Sequence, residues 1–240
     1  MADRLQKIIS ASGLMSRRAA ENCISEGRVV LNGRTAVLGD RADPHSDLIL
    51  LDGRPLPSGA EKQYIMLNKP KGYVCTLNDE KDRKNVCELV ESANTRLYPV
   101  GRLDMYSEGL LIMTNDGNFA NILMHPSHNF KKTYRTWAEG RDVGAAVEYL
   151  RCPLELDDGY VVQAENVEIE RVYPGGAVLL ITIAEGRNRQ VRKMCGICGL
   201  KVSRLMRIKE GPLELGDLPE GKWRRLSDDE VKAIVAANKH

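Results

Sequence analysis

The chain has 240 residues, of which 42% are hydrophobic and 28% are charged, and its formal net charge at pH 7 is +2. This length suits one large domain or two smaller ones, with enough apolar residues for a core. The longest apolar run, Ala177 to Ala184, is too short to span a bilayer, and the N-terminus does not resemble a signal peptide. Six cysteines without a targeting segment favour a reducing cytoplasm over a disulfide-stabilised secreted protein.

The N-terminal part of the chain, residues 1–54, has the pattern of a compact α/β unit. Leu5, Ile8 and Ile9 stand at helical spacing and predict an amphipathic helix that ends at Gly13. A second helix is predicted to open at Ser16. The elements predicted after it are two short strands around the turn Asn32-Gly33, a strand from Asp47 to Gly53, and a linker rich in Pro, Gly and Ser from Pro55 to Lys62.

The remainder of the chain mixes strands and helices without a regular βαβ period. Strands are predicted at 64–70, 110–114, 131–140, 160–173 and 177–186, and helices at 118–126, 145–150, 188–199 and 226–239. Ser227 and Glu230 are spaced as the capping box of the last helix. We therefore predict an α+β fold, with a small α/β domain at 1–56, a linker at 57–62, and a second domain at 63–240 whose mixed sheet is mostly antiparallel.

Charge is distributed unevenly along this second domain. Eight Lys or Arg and no acidic residue lie between Arg187 and Lys209, whereas 142–170 holds eight acidic residues against one Arg. This asymmetry predicts one strongly positive side of the protein. Arg189, Arg192 and Lys193 would stack on one helix face, where like charges repel. Two interpretations are open: an exposed basic face, or a site for an anion such as a phosphate or a buried carboxylate.

Asp104 in "GRLDMYSEGLLIMT" also has two interpretations, a turn residue bonded to its own backbone or a catalytic carboxylate. No carboxylate pair of glycosidase type, no Ser-His-Asp context, no phosphate-binding Gly-rich loop and no metal-ligand cluster accompanies it in the sequence. A catalytic Asp104 would have to work without a cofactor. Cys195 and Cys198 form half of a zinc site with no second half, so we predict no metal and interpret them as small apolar residues on a helix.

The N-terminal motifs carry a resemblance to a known RNA-binding domain. "SRR" at Ser16 to Arg18 and "GRVVLNG" at Gly27 to Gly33 resemble the RNA-binding domain first described in the fourth protein of the small ribosomal subunit. The similarity covers residues 3–54 and implies binding of structured RNA. The positions that it points to are Arg4, Lys7, Ser16, Arg17, Arg18 and Asn32.

Nearly the whole chain is similar to the RsuA/RluB family of ribosomal RNA pseudouridine synthases. The resemblance rests on "NKPKGYVCT", "GRLDMYSEGLLIMTNDG", "HPSHNFKKTYRTW" and "IAEGRNRQVRKM", in this order. It implies that Asp104 is the essential aspartate, that Tyr134 packs against the target base, and that Arg192 pairs with the aspartate. It further implies that Arg102 fills the gap left by the flipped base, and it makes Arg189 a candidate RNA contact. Ser107 replaces the usual threonine and keeps its hydroxyl.

The resemblance implies an enzyme that isomerises one uridine of ribosomal RNA, most closely the 23S large-subunit RNA, to pseudouridine by flipping the base. No cofactor would be needed, and the expected partner is ribosomal RNA or a pre-ribosomal particle. A cytoplasmic monomer without membrane association is expected. The open alternatives are a 16S or transfer RNA substrate, a non-catalytic RNA-binding assembly factor, and a hydrolase that releases uracil. Whether Asp104 attacks as a nucleophile or acts as a base is also open.

Overall fold

The computed structural model of the protein describes residues 2–57, 59–76 and 83–237. The chain divides into two compact units: a first unit of Met1–Gln63, Ala93–Arg96 and Asn115–Gly117, and a second unit of Tyr64–Ser92, Leu97–Thr114 and Asn118–His240. The predicted linker includes Ser58, and the predicted last helix includes Asn238 and Lys239, which lie outside the described residues. The predicted domain limits at 56 and 63 stay a prediction.

Two helices and short strands form the first unit. Its elements are β1 (Asp3–Arg4), α1 (Leu5–Ala11), α2 (Arg17–Ser25), β2 (Val29–Leu31), β3 (Arg34–Thr35), β4 (Arg41–Ala42), β5 (Ile49–Leu51) and β6 (Arg54–Pro55). Strands β3, β2, β5 and β6 form an antiparallel sheet in this order, and β1 pairs with β4. The apolar faces of the helices, with Leu5, Ile9 and Ile24, share one core with Val29. Both predicted helices are confirmed.

The predicted tight turn between β2 and β3 is also confirmed. Asn32 and Gly33 have φ angles of 50° and 83°, both in the left-handed region. A two-residue hairpin of this type needs positive φ at both central positions, which Asn and Gly adopt most easily. The turn therefore follows from local sequence alone.

The second unit is built around one large sheet. Its strands are β7 (Tyr64–Lys69), β8 (Tyr98–Val100), β9 (Glu108–Thr114), β10 (Lys132–Glu139), β11 (Leu154–Glu155), β12 (Val161–Val162), β13 (Asn166–Tyr173), β14 (Gly176–Ile183), β15 (Lys201–Glu210), β16 (Leu213–Glu214) and β17 (Trp223–Arg225). The helices in this part of the chain are α3 (Gly117–Met124), α4 (Val143–Leu150), α5 (Gln190–Ile197) and α6 (Asp228–Ala237), with 3₁₀ turns at Glu88–Ala93 and Pro126–His128. None of the helices in the described ranges is long and apolar enough to cross a membrane.

The order of the large sheet is β13-β14-β10-β15-β9-β7-β17, with β16 beside β15 and β8 beside β9. Every pairing in it is antiparallel except that of β9 with β15, which is parallel. The predicted fold class, α+β with a mixed and mostly antiparallel sheet, is confirmed. All seven residues of β9 are buried. An apolar strand that is buried on both faces reads as a continuous run, which explains "LLIMT".

The parallel pair depends on Gly109. This residue has a φ of 100°, and a Cβ atom there would lie 2.2 Å from the carbonyl oxygen of Arg207. Only glycine therefore permits the close approach that pairs Gly109 with Arg207 and Glu108 with Met206. The approach places the loop before β9, which contains Asp104, next to the middle of β15.

The predicted start of the last helix is confirmed in detail. The Ser227 backbone N–H donates to Glu230 (2.8 Å) and the Glu230 N–H donates to the Ser227 hydroxyl (3.2 Å), so the capping box forms.

One strand was missed: no element was predicted at 201–210, which forms β15. Its charged residues stand on both faces, with Lys201 and Lys209 exposed and Arg207 and Glu210 buried, so it lacks the alternation of apolar and polar residues by which strands are identified.

Candidate active site

A cleft of about 1080 Å³ lies in the second unit, where β10, β15 and the loops before β9 and α5 meet. Asp104, Tyr134 and Arg189 all line it, although 85 residues separate the first from the last. The cleft therefore brings together three residues that the sequence placed in separate motifs. The other charged lining residues include Arg102, Lys132, Arg187, Arg207 and Glu210.

Asp104 lies in a tight turn at the edge of this cleft. The Ser107 N–H donates to the Asp104 carbonyl oxygen at 2.9 Å, which closes the turn. The Asp104 side chain is 31% exposed, and its Oδ2 atom lies 3.7 Å from Nη1 of Arg189. The carboxylate is therefore within reach of a ligand in the cleft and next to a positive charge.

Lys69 holds this turn from beneath, and sequence reasoning had missed it. The ammonium group is fully buried and donates to the carbonyl oxygens of Pro70 (3.0 Å), Asp104 (3.2 Å) and Ser107 (2.8 Å). Burial lowers the pKa of Lys69, whereas the nearby Cys75 and Asp104 favour the charged form. The available signal was a lysine that closes the apolar strand "YIMLNK", because a buried lysine is rare unless its charge is satisfied.

Two further bonds fix the backbone around Asp104. The Gly72 N–H donates to the Met105 carbonyl oxygen at 2.8 Å, and the Leu103 N–H donates to Sγ of Cys75 at 3.4 Å. The residues before and after Asp104 are thus held by the segment that follows β7. The position of the carboxylate is set by backbone contacts from both sides.

The ion partner of Asp104 differs from the prediction. Arg192 was expected to pair with Asp104, but its guanidinium donates instead to the carbonyl oxygens of Val202 and Tyr106, both at 3.1 Å. Arg189 takes the position beside the carboxylate. The difference follows from where each residue stands relative to helix α5. Arg189 precedes the helix with a left-handed φ of 54°, whereas Arg192 lies within the helix. Because Tyr106 belongs to the Asp104 turn, Arg192 supports the backbone of the turn, and its charge also acts on the Asp104 carboxylate without forming the ion pair.

Tyr134 lies on β10 with only 8% of its surface exposed. Burial raises the pKa of Tyr134, and the positive charge of Arg207 acts in the opposite direction. The hydroxyl is therefore neutral near pH 7. Lys132, two residues earlier on the same face of the strand, donates to the Phe130 carbonyl oxygen at 2.8 Å.

The prediction of one strongly positive side is wrong in its simple form. Six of the eight basic residues between Arg187 and Lys209 form ion pairs with carboxylates. Asp157 and Asp158, from the acidic stretch, neutralise Lys193 (2.5 Å) and Arg187 (3.1 Å). Two residues of the acidic stretch thus pair with two of the basic stretch, and carboxylates lie beside Arg189 and Lys193, two of the three cations predicted to repel on the helix face.

The predicted RNA contacts of the first unit fall into two groups. Arg4, Arg17 and Arg18 are exposed and form no ion pair with any residue in the described ranges. The other three are engaged within the protein. Lys7 pairs with Asp3 (2.9 Å), the Ser16 hydroxyl accepts from the Ala19 N–H (3.1 Å), and the Asn32 amide bonds to Asp47 and to the Leu48 N–H (both 2.9 Å).

The other candidate residues from the sequence are Arg102 and the cysteine pair. Arg102 is exposed at the cleft and forms no ion pair with the residues that the structure describes. Burial raises the pKa of Cys195 to about 12 and that of Cys198 to about 11, so both thiols are protonated at neutral pH. Across the described residues, no three His, Cys, Asp or Glu side chains come together in a way that could hold a metal ion.

Known proteins are similar to this one over the whole chain. The sequence model of RNA pseudouridylate synthases matches residues 63–196, and that of the S4 domain matches residues 3–48. The chain is 40% identical over 239 residues to an uncharacterized RNA pseudouridine synthase of Aquifex aeolicus, covering 99% of this chain and 95% of that protein. It is 37% identical over 241 residues to the ribosomal large subunit pseudouridine synthase B of Bacillus subtilis, covering 99% and 98%.

A solved structure agrees with these sequence similarities. A crystal structure of a pseudouridylate synthase is 29% identical and superposes with a TM-score of 0.65, covering 96% of this chain and 99% of that one. The similarity thus includes both the S4 domain and the unit that contains the cleft.

Proposed function

This chain belongs to the RNA pseudouridylate synthase family, and we propose that it converts one specific uridine of large-subunit ribosomal RNA to pseudouridine. The relatives of Bacillus subtilis and Haemophilus influenzae that support this substrate are both named ribosomal large subunit pseudouridine synthase B. The match to the first of them covers 99% of this chain. A free 23S RNA or a pre-ribosomal particle that contains it is the proposed partner.

The proposed reaction breaks the glycosidic bond of the uridine, rotates the uracil and rejoins it to the sugar through carbon five. The ionised Asp104 carboxylate acts on the nucleoside, either as a nucleophile or as a base that removes a sugar proton. Arg189, 3.7 Å away, provides a positive charge beside the carboxylate. Nothing is added to or removed from the RNA, so the proposal includes no cofactor.

Access to the uridine requires that it leave its stack, which costs a few kcal/mol. We assign the flat surface for the extracted uracil to Tyr134, at the floor of the cleft. Arg102, exposed at the same cleft, would fill the gap in the RNA. Arg192 orients the Asp104 turn through the Tyr106 carbonyl, and Arg189 stands where an RNA phosphate can approach.

The S4 domain would bind structured RNA through charge on its surface. Arg4, Arg17 and Arg18 are exposed cations of this domain without an ion pair in the described part of the chain, and phosphate contacts of this kind dominate RNA affinity. Ser16 and Asn32, whose polar groups are used inside the fold, would shape the surface and not contact RNA directly. We propose a cytoplasmic monomer as the working form.

The observation that supports the proposed chemistry is that Asp104 and Tyr134 line the same cleft as several basic side chains. The test is incubation of the protein with unmodified large-subunit RNA in the presence of a chelator, followed by chemical labelling of pseudouridine and primer extension. We expect one new site with the native protein and with Asp217→Asn, an exposed control. We expect none with Asp104→Asn.

The same assay separates the alternatives. Modification of small-subunit or transfer RNA in place of large-subunit RNA would overturn the substrate assignment, and free uracil would indicate a hydrolase. Binding without modification of any of these RNAs would leave an assembly factor as the interpretation. An active Asp104→Asn protein would overturn the role of the carboxylate.

A further inference from the structure

Arg207 and Glu210 form a charged pair at the floor of the cleft that the proposed chemistry does not use. Both line the cleft and are only 2% and 4% exposed, and Nη2 of Arg207 lies 3.2 Å from Oε2 of Glu210. Removing two charges from water costs about as much as their attraction returns, so a buried pair is weak support for stability. Because the pair lines the cleft, we looked for a role of the pair in the site.

A β-bulge directs this pair at Tyr134. Across β10 and β15, Lys132 faces Glu210 and Tyr134 faces Arg207, with one residue of β15 left over between the two pairs. Positions 207 and 210 would point to opposite faces of a regular strand, because side chains alternate. The extra residue brings both onto the face of Tyr134, and such bulges are frequent next to active sites.

Arg207 is held both at its backbone and at its guanidinium group. Its backbone is packed against Gly109 in the parallel pair, and its Nε donates to the Leu110 carbonyl oxygen at 2.8 Å. The atoms Nη2 of Arg207 and Oε2 of Glu210 attract each other by charge but make no hydrogen bond. The guanidinium is therefore held by the Leu110 carbonyl oxygen and by the charge of Glu210, and Tyr134 faces Arg207 directly across the strand pair.

We infer that Arg207, held by Glu210 and by the Leu110 carbonyl, is a positioning residue that fixes the hydroxyl and ring of Tyr134 against the target uracil. The inference rests on the proposed function, in which Tyr134 supplies the surface for the base. Burial raises the pKa of Tyr134, so the phenol stays protonated beside the guanidinium that faces it across the strand pair. The ring is thereby held in one position before RNA arrives.

The test replaces the pair with apolar residues of similar size, Arg207→Met with Glu210→Leu, because removal of one partner alone would leave a buried charge. We expect kcat to fall by roughly 10- to 100-fold with little change in KM, since small displacements in a reacting site have effects of this size. The melting temperature should not fall, because such replacements are often neutral or stabilising. Arg135→Met with Glu170→Leu is the matched control.

The control pair is chosen for its position. Arg135 follows Tyr134 on β10, points to the opposite face of the sheet, and pairs with Glu170 at 2.7 Å. Its replacement should leave kcat unchanged. If Arg207 acts through the hydroxyl, Tyr134→Phe should lose as much rate as the Arg207/Glu210 double variant. The triple variant should then be no slower than either, because the effects share one pathway.

A second measurement does not depend on activity. With 3-fluorotyrosine incorporated, the ¹⁹F resonance of Tyr134, assigned with Tyr134→Phe, should shift or broaden in the Arg207/Glu210 variant and not in the control. An unchanged resonance, or a triple variant that loses the product of the separate effects, would overturn the inference. An inactive native protein with the expected ¹⁹F change would instead refute the proposed function and leave the contact between Arg207 and Tyr134 standing.

Discussion

Three exposed arginines of the first unit and two buried cations of the second unit are used in opposite ways. In the first unit, Arg4, Arg17 and Arg18 extend into solvent without carboxylate partners in the described ranges. In the second unit, Lys69 is buried against carbonyl oxygens and Arg207 is buried against Glu210. Mobile surface charges attract a polyanion at little cost in structure, whereas fixed buried charges set geometry at a cost in desolvation. One unit is therefore suited to affinity and the other to alignment.

Among the variants that test this comparison, the largest effect is expected from Lys69→Met, which removes the buried donor to the Asp104 turn. The carbonyl oxygens of Pro70, Asp104 and Ser107 would be left without a charged donor, at about 1–3 kcal/mol for each buried group left unsatisfied. We expect kcat to fall by about 100-fold and the melting temperature to fall with it. Lys201→Met, an exposed lysine, is the control and should change neither. A native-like kcat of Lys69→Met would show that the buried lysine does not set the geometry of the site.

An intermediate effect is expected for the two arginines around Asp104. Arg192→Ala removes the bond to the Tyr106 carbonyl and should lower kcat about tenfold, more than it weakens RNA binding. Arg189→Ala removes the direct ion partner of Asp104 and an accessible cation together, so it should raise KM as well. Single-turnover rates and filter-binding affinities separate the two. If Arg192→Ala lowered the rate and the RNA affinity equally, Arg192 would act only as a phosphate contact and would not orient the Asp104 turn.

The smallest effect on rate is expected in the first unit. Replacing Arg17 and Arg18 by Ala should weaken RNA binding and lower the slope of log affinity against log salt by up to about two, because each bound phosphate contributes about one. The rate at saturating RNA should not change, because neither residue belongs to the cleft. Lys7→Ala, whose charge is already paired with Asp3, is the matched control and should change the slope less. An unchanged slope in the double variant would remove the RNA-binding role from these two arginines.

Local patterns predicted elements that are set by neighbours in the chain. The Asn32-Gly33 turn needs only two residues that accept positive φ, and the capping box of α6 needs only Ser227 and Glu230. The strand β15 was missed because its charged residues do not alternate with apolar ones. Arg207 and Glu210 are buried in the sheet, and burial of charged residues is decided by tertiary partners.

The sequence by itself determined the fold class, the family and the candidate residues Asp104 and Tyr134, because motifs and apolar periodicity are local properties. Only the tertiary structure decided that Arg189 and not Arg192 lies beside Asp104, that Lys69 holds the turn, and that acidic residues neutralise most of the basic segment. These are contacts between residues far apart in sequence, such as Lys69 with Ser107 and Lys193 with Asp157. Which partner a charge takes depends on distance and burial in the folded chain, and neither is present in the order of the residues.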